Sequence, residues 1–311
     1  MGGIDVVIPS YQYGHFLRES VGSVLSQSVE NLRVLIIDNG STDNTREIAE
    51  EMARDDPRVE LVVHKRNLSP LISYNEGIDW ASSELFMILD ADDVMMPGCL
   101  LRAAAIMSAD RNIAFAHGKG VQTDSPAAII AKQTGKAQPE DWRVCCGLEF
   151  IDRVCRTGNC IISPPTVVRR TSMQKATGYY PLELQRAIDL NMWLRLATFG
   201  SVAETTAIQG IHRRHPNQLS AFYRDNLVCD FVELLNNFEH FFMNEGGWIQ
   251  GSLATRHATA KKLASNAFVA AVKRLLKGRV SESGKLFEFA YSTWRKSRSY
   301  RTNPAPLSMS Q

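Results

Sequence analysis

The sequence predicts an α/β protein: a mainly parallel sheet with helices on both faces, followed by a C-terminal helical appendage. Three observations carry this reading. Apolar runs of strand length alternate with segments of helical period from Ile4 to Asp90, the pattern of a sheet built from strand–helix–strand units. The longest apolar stretches, LFMIL and RVLII, fall far short of the roughly 18 residues of a membrane span. From Phe222 onward the pattern is helical. With 311 residues, 44% hydrophobic and 22% charged, the chain can bury a core unaided and is neither disordered nor collagenous in composition.

The elements follow in order. IDVVIP is a strand closed by Pro9, and Leu17, Val21, Val24 and Leu25 then recur at helical spacing. LRVLIID is the second strand, NGSTDN its closing turn, and a helix runs from about Thr45 through Met52. VELVV, LISYNEGIDWA and ELFMILD read as strand, helix and strand. Sheets of this kind bind ligands beyond the carboxyl ends of their strands. Those ends deliver Ser10 and Tyr11, Asp38, and Asp90 with Asp92 and Asp93. Between about Gly118 and Gly158 the periodicity weakens into a loop-rich insertion. PPTVVRR resumes as a strand, and AIDLNMWLRLATFG is an amphipathic helix ended by Gly200. In the appendage Leu263, Ala267, Phe268, Ala271, Val272 and Leu275 form one apolar stripe, with Lys261, Lys262, Lys273 and Arg274 largely elsewhere.

The net charge of +2 conceals an asymmetry. Residues 252–311 hold 12 Lys and Arg against Glu282 and Glu288, a balance of +10, while residues 1–251 hold 23 against 31, a balance of −8. A basic tail on an acidic body suits an anionic surface, a second subunit or a solvated helix face. The six cysteines lack C-x-x-C spacing, which argues against a zinc or thioredoxin-like site. MGGIDVVIP enters a strand with no basic n-region, so the reading is a cytoplasmic protein with reduced thiols, peripheral contact with the inner face of a membrane being open to the tail. No nucleic-acid partner is expected.

ILDADD carries most of the chemistry. Asp90, Asp92 and Asp93 after a buried strand repel one another unless a cation joins them, and hard oxygen ligands suit Mg2+ or Mn2+. Taken alone, the cluster fits equally an acidic turn before a helix opening near Pro97. There is no G-x-x-x-x-G-K-[ST] and no G-x-G-x-x-G after the first strand, so a bound nucleotide diphosphate would depend on a metal for neutralisation.

VVIPSYQYGHFLRESVGSVLSQS, VLIIDNGSTDNT, NEGIDWASSELFMILDADD and AIDLNMWLRLATFG with IHRRHPNQLS resemble the successive blocks of family 2 glycosyltransferases of the Rossmann-like GT-A fold. The resemblance covers about residues 4–220 and implies a catalytic domain there, with a donor half over about 1–117 and an acceptor half over about 118–220. Residues 221–311 are left as a basic helical region. It implies that Pro9, Ser10 and Tyr11 line the nucleotide pocket, with Asp38 on the base. Asp90 and Ala91 would lie at the ribose or metal-bound waters, with Asp92 on the metal. Arg66, Asn67 and Asn75 are further base or ribose contacts. His215 is placed near the diphosphate or metal, with Arg213 or Arg214 as phosphate clamps. Asp189 is implied as the general base, the alternative being a helix cap. Ile188 stands where the family has Glu, and Asn39 where it has a second Asp, a change expected to be tolerated because Asp38 is kept. Trp193 is expected in the core. His15, His64, His117, His240 and His257 are given no role.

The implied activity is inverting transfer from a UDP- or dTDP-sugar to an acceptor hydroxyl, with Mn2+ or Mg2+ as cofactor, in cell-surface polysaccharide or other glycoconjugate assembly. The acceptor is a glycan, a lipid-linked glycan, a peptide or a small molecule. A sugar-phosphate nucleotidyltransferase and a non-catalytic nucleotide-sugar-binding module remain open.

Overall fold

The computed structural model describes residues 2–216, 218 and 226–300. Most of the NQLS block, the 220/221 boundary and Arg301 lie outside the described residues. The chain divides into two compact units that interleave in sequence: residues 1–146, 162–182 and 199–215 form the first, and residues 147–161, 183–198 and 216–311 the second.

The first unit is built on one mixed sheet. Its parallel part has strands β1 (Ile4–Ser10), β2 (Leu32–Asp38), β3 (Val59–Val63) and β4 (Leu85–Ile88) in the spatial order β3-β2-β1-β4. Every residue of β1 is buried, which a strand covered on both faces requires. Alternation sends Ile4, Val6 and Ile8 into one core with Leu17, Val21 and Val24 of helix α1 (Gly14–Leu25). Val7 points the other way, toward helix α3 (Pro70–Trp80); a Cβ on Gly77 would lie 2.7 Å from Val7 Cγ1, so only glycine lets α3 lie this close. Helix α2 (Thr45–Asp55) connects β2 to β3. In register Ser10 lies beside Asp38, and Leu89 N–H donates to Val7 C=O at 2.9 Å, so the three predicted strand ends share one edge.

Beyond β4 the sheet continues through β8 (Val168–Arg170), β6 (Ile113–Thr123), β9 (Ser201–Arg213) and β5 (Val94–Met95), with β7 (Arg143–Cys145) also on β9, and helix α4 (Cys99–Ala109) connects β5 to β6. The segment read as a loop-rich insertion is therefore largely regular: β6 runs to Thr123, α5 spans Pro126–Gln133 and α6 spans Gly147–Thr157. Bulges along the β6–β9 pairing break the period-2 alternation that would have announced the strand. In α6 the buried residues Phe150, Ile151, Val154 and Cys155 do keep a helical spacing.

At the end of the sheet remote from the ligand edge, Asp5 is fully buried. Its carboxylate accepts from Arg33 Nε (2.9 Å) and Nη2 (2.8 Å), from the N–H of Ser82 (2.6 Å) and Ser83 (2.8 Å), and from Ser83 Oγ (2.7 Å). Burial pushes the carboxyl up, but the Arg33 and serine hydrogen bonds outweigh it and hold it below its ordinary value. Its stabilisation is thus complete above the unfolded carboxyl's pKa of about 3.9 and is lost as pH falls through the lower folded value. Asp5→Ala should cost about 3–5 kcal/mol in denaturant unfolding at neutral pH, and that penalty should shrink as the pH is lowered below about 4.

The second unit is helical. Its helices are α6, α8 (Ile188–Ala197), α9 (Leu227–Met243), α10 (Ser252–Leu276) and α11 (Val280–Ser299), while the short α7 (Thr171–Thr177) belongs to the first unit. Leu190 through Ala197 are all buried, Trp193 among them, as expected for core. The stripe predicted on α10 is only partly buried. Leu263, Ala267 and Ala271 face inward, but Phe268 is 54% and Leu275 47% exposed. Ala260 and Ala264 complete the buried face, opposite Ser283, Ala290, Thr293 and Ser297 of α11. Small residues on both helices bring the backbones together, and Leu263, Leu286 and Phe289 are buried with them, while Phe268 and Leu275 stay outside. No described helix is long and apolar enough to cross a membrane.

Candidate active site

The ligand edge of the sheet is shaped by three turns. After β1, Gln12 adopts a left-handed φ of 61°, unusual for a residue with a Cβ. It is held there by its N–H on Ser41 Oγ (3.0 Å), its amide N–H on Thr42 Oγ1 (2.7 Å) and the Asp43 N–H on its amide oxygen (3.2 Å). Pro9 and Ser10 are buried, and Tyr11 is exposed. The Ser10 hydroxyl has no hydrogen-bond partner among the described residues, an unmet polar group at the edge where a ligand would lie. After β2, the buried Asp38 accepts from Ser41 N–H at 3.2 Å. Gly40 follows at φ 73°, where a Cβ would lie 2.3 Å from the Arg66 carbonyl carbon.

Asn39 does more than stand in for an acid. Its amide N–H groups donate to Asn67 Oδ1 (3.1 Å) and Leu68 C=O (2.8 Å), and its oxygen accepts from Leu68 N–H (2.9 Å). His64 joins the network, with Nδ1 2.9 Å from Asn39 Oδ1 and Nε2 2.7 Å from Glu76 Oε2. Asn39, His64 and Glu76 thereby fix the segment carrying the exposed Arg66 and Asn67. A carboxylate at position 39 could not donate. Asn75 is occupied differently: its amide donates to Tyr180 C=O (3.1 Å) and accepts from Tyr180 N–H (2.8 Å), bracing that backbone.

After β4, the carboxylates of Asp90, Asp92 and Asp93 offer oxygens all within 4.8 Å of one another. Ala91 between them is buried. Tyr74 Oη donates to Asp90 Oδ1 at 2.8 Å. His215 Nε2 stands 3.0 Å from Asp92 Oδ2. The end of β9 anchors the turn: Arg213 N–H donates to Asp93 Oδ1 (3.0 Å), and Arg213 Nε donates to Asp92 C=O (2.8 Å). The Arg213 guanidinium also pairs with Glu19 and lies 4.5 Å above the Phe16 ring. It therefore braces the acidic turn and is not a free phosphate clamp. Arg214 is exposed, with Nη2 2.7 Å from Gln122 Oε1.

The electrostatics are those of a site short of positive charge. Burial, reinforced by the neighbouring Asp92, pushes the Asp93 carboxyl up. The hydrogen bond that His212 Nδ1–H donates to Asp93 raises His212, favouring its cation. Burial and then Asp92, Asp90 and Asp93 push the Tyr13 phenol up, so it stays neutral. Oxygen donors of this kind fit Mg2+ or Mn2+, and an imidazole beside Asp92 adds a donor that the harder Mg2+ uses less readily than Mn2+. Tyr74→Phe removes a charge-assisted hydrogen bond to Asp90 without changing the ring. It should weaken Mn2+ binding about tenfold, measured by calorimetry, with the melting temperature nearly unchanged.

Asp189 belongs to the second unit, as the second residue of α8. The N-cap position is Ala187, in a left-handed conformation (φ 55°) with no side-chain cap. Asp189 thus stands inside the first turn and is not the N-cap residue. Sequence reasoning missed Tyr74, Glu19, His212 and His64 as parts of the site. The YNE of α3 was the available signal for two of these contacts, through Tyr74 and Glu76; nothing local connects β9 with the acidic turn.

Residues 5–170 match the family model described as Glycosyl transferase family 2. An uncharacterized glycosyltransferase of Haemophilus influenzae is 25% identical over 230 residues, covering 71% of this chain and 68% of its own. Among solved structures, TarS residues 1–349 of Staphylococcus aureus with UDP aligns at TM-score 0.55 and 18% identity, over 96% of this chain and 91% of that one. The mannosyltransferase PcManGT of Pyrobaculum calidifontis, in complex with GDP-Man and Mn2+, aligns at TM-score 0.58 and 15% identity, over 95% and 88%. At these identities the two structures establish a shared fold.

Proposed function

Since the chain belongs to glycosyl transferase family 2, we propose that it moves a sugar from a nucleoside-diphosphate sugar to an acceptor hydroxyl with inversion at the anomeric carbon. The observation that carries the reading is the acidic turn at the sheet edge: three carboxylates within 4.8 Å, braced by β9 and flanked by His215. A UDP- or dTDP-sugar is the favoured donor, because the carboxylate of Asp38 suits the imide N–H of uracil or thymine. Pro9, Ser10 and Tyr11 form the adjoining wall, where the unmet Ser10 hydroxyl is a ready partner for the nucleoside. Arg66 and Asn67 stand on the segment fixed by Asn39. The donors named for TarS and PcManGT support the nucleoside-diphosphate class.

Asp92, with Asp90 and His215, would hold Mn2+ or Mg2+, which supplies neutralisation of the departing diphosphate. Arg214 is the remaining cation for the phosphates. Asp189 takes the acceptor's proton as its oxygen bonds to the anomeric carbon and the bond from that carbon to the phosphate oxygen breaks. The nucleoside diphosphate leaves from the opposite face, which inverts the centre. The acceptor is a glycan, lipid-linked glycan or small molecule of glycoconjugate assembly, with the basic helices contacting a membrane surface or a second copy.

A thermal-shift panel of nucleotide sugars with Mn2+ selects the donor, and proton NMR of the product reads its anomeric configuration. An α-linked donor should yield a β-linked product. Retention rejects the mechanism, and pyrophosphate release from a nucleoside triphosphate and a sugar phosphate would make the chain a nucleotidyltransferase.

A further inference from the structure

The small-residue contact between α10 and α11 leaves a face that the fold does not use. The two helices run antiparallel: Ser283 Oγ donates to Ala271 C=O at 2.9 Å, and His257 Nδ1 lies 2.7 Å from Ser297 C=O. This register sets Leu275 beside Val280 and Phe268 beside Phe287, and the last two rings do meet edge to face at 5.3 Å. Along α10, Phe268, Leu275 and Leu276 recur at helical spacing on the exposed side, as do Val280, Tyr291 and Trp294 along α11. Their exposures are high for such side chains: 54% for Phe268, 82% for Leu276, 65% for Val280 and 64% for Tyr291. A contiguous apolar strip of this kind marks an interaction surface.

Its surroundings say what it meets. Lys273, Lys277, Lys285 and Arg298 are exposed on the same two helices, and the Arg298 guanidinium lies 3.9 Å above the Trp294 ring. The acids on these helices are Glu282 and Glu288, and Glu282 is already paired with Arg274 and Arg279. Aromatic and aliphatic side chains bordered by Lys and Arg bind the interface of an anionic bilayer, the rings entering among the headgroups while the cations pair with lipid phosphates. A second copy of the same basic strip would bring like charges together, so self-association is disfavoured.

We infer that the exposed face of the α10–α11 hairpin, centred on Phe268, Leu275, Leu276, Tyr291 and Trp294, docks the protein on an anionic lipid bilayer. This deepens the membrane-surface element of the function proposed above, but it requires no catalysis and is tested without it.

The test is co-sedimentation of the full chain with vesicles of phosphatidylglycerol and phosphatidylcholine, or of phosphatidylcholine alone. The wild type should pellet with the anionic vesicles at low salt and be released as salt is raised. Leu276→Ser combined with Tyr291→Ser, both exposed, should weaken that binding about tenfold or more, as should Lys273→Glu with Lys277→Glu. Melting curves check that each variant folds, and nucleotide-sugar turnover in detergent-free solution should not change, which separates failure of docking from failure of the transferase reading. Three outcomes would overturn the inference: no binding to anionic vesicles, equal binding by the variants, or a wild-type dimer in solution that Leu276→Ser dissociates.

Discussion

Asp92→Asn should lower kcat/KM by about a thousandfold, the scale of losing the group that would organise charge neutralisation on a leaving diphosphate. Its effect on folding has the opposite character. In the protein without metal, Asp90, Asp92 and Asp93 crowd within 4.8 Å, and removing one negative charge relieves that repulsion. The amide oxygen of Asn can still face His215, so the melting temperature without metal should hold or rise. Saturating Mn2+ should stabilise the wild type by mass action, about 2.7 kcal/mol at a hundred times the dissociation constant, and the variant should lose that gain. Activity assays with melting curves, with and without Mn2+, check both halves. An inactive variant that also melts well below the wild type without metal would assign Asp92 a structural role.

Asp189→Asn should lower kcat by about a hundredfold to ten-thousandfold and leave the donor's KM within about threefold, the signature of a lost proton acceptor. Ile188 stands beside it, so the adjacent position offers no substitute acceptor. Asp189 lies in the first turn of α8, where a negative charge contributes about 0.3–1 kcal/mol through the helix dipole. A thousandfold loss of turnover with a melting temperature changed by a few degrees would thus report chemistry. Steady-state kinetics with the donor varied, beside calorimetric titration of the nucleoside diphosphate, separates the two effects.

The parallel part of the sheet was legible because each of its strands is a short apolar run followed by a helix of clear period, and because the polar residue ending each strand falls at one edge. Ser10, Asp38 and Asp90 are therefore where the pattern puts them. Position along the chain says nothing about which partners those residues take. Arg213 ends a strand whose pairing with β6 is interrupted by bulges, and only the folded sheet shows its guanidinium turned onto Asp92 and Glu19. Asn39 read as a tolerated replacement, yet it uses both ends of its amide on the 64–68 segment. The α10 stripe misled for a related reason. Periodicity marks which residues share a face, but Phe268 and Leu275 are left outside because alanines make the closer helix contact.

The proposed transfer requires a nucleoside diphosphate to be held at the sheet edge through a cation on Asp92. Calorimetric titration of UDP, with dTDP and GDP in parallel, into the wild type with Mn2+, the wild type with excess EDTA, and Asp92→Asn with Mn2+ addresses this most directly. UDP or dTDP should bind the wild type in Mn2+, and binding should be lost in EDTA and in the variant. Equal binding in all three samples, or no binding of any nucleoside diphosphate to the wild type in Mn2+, would contradict it.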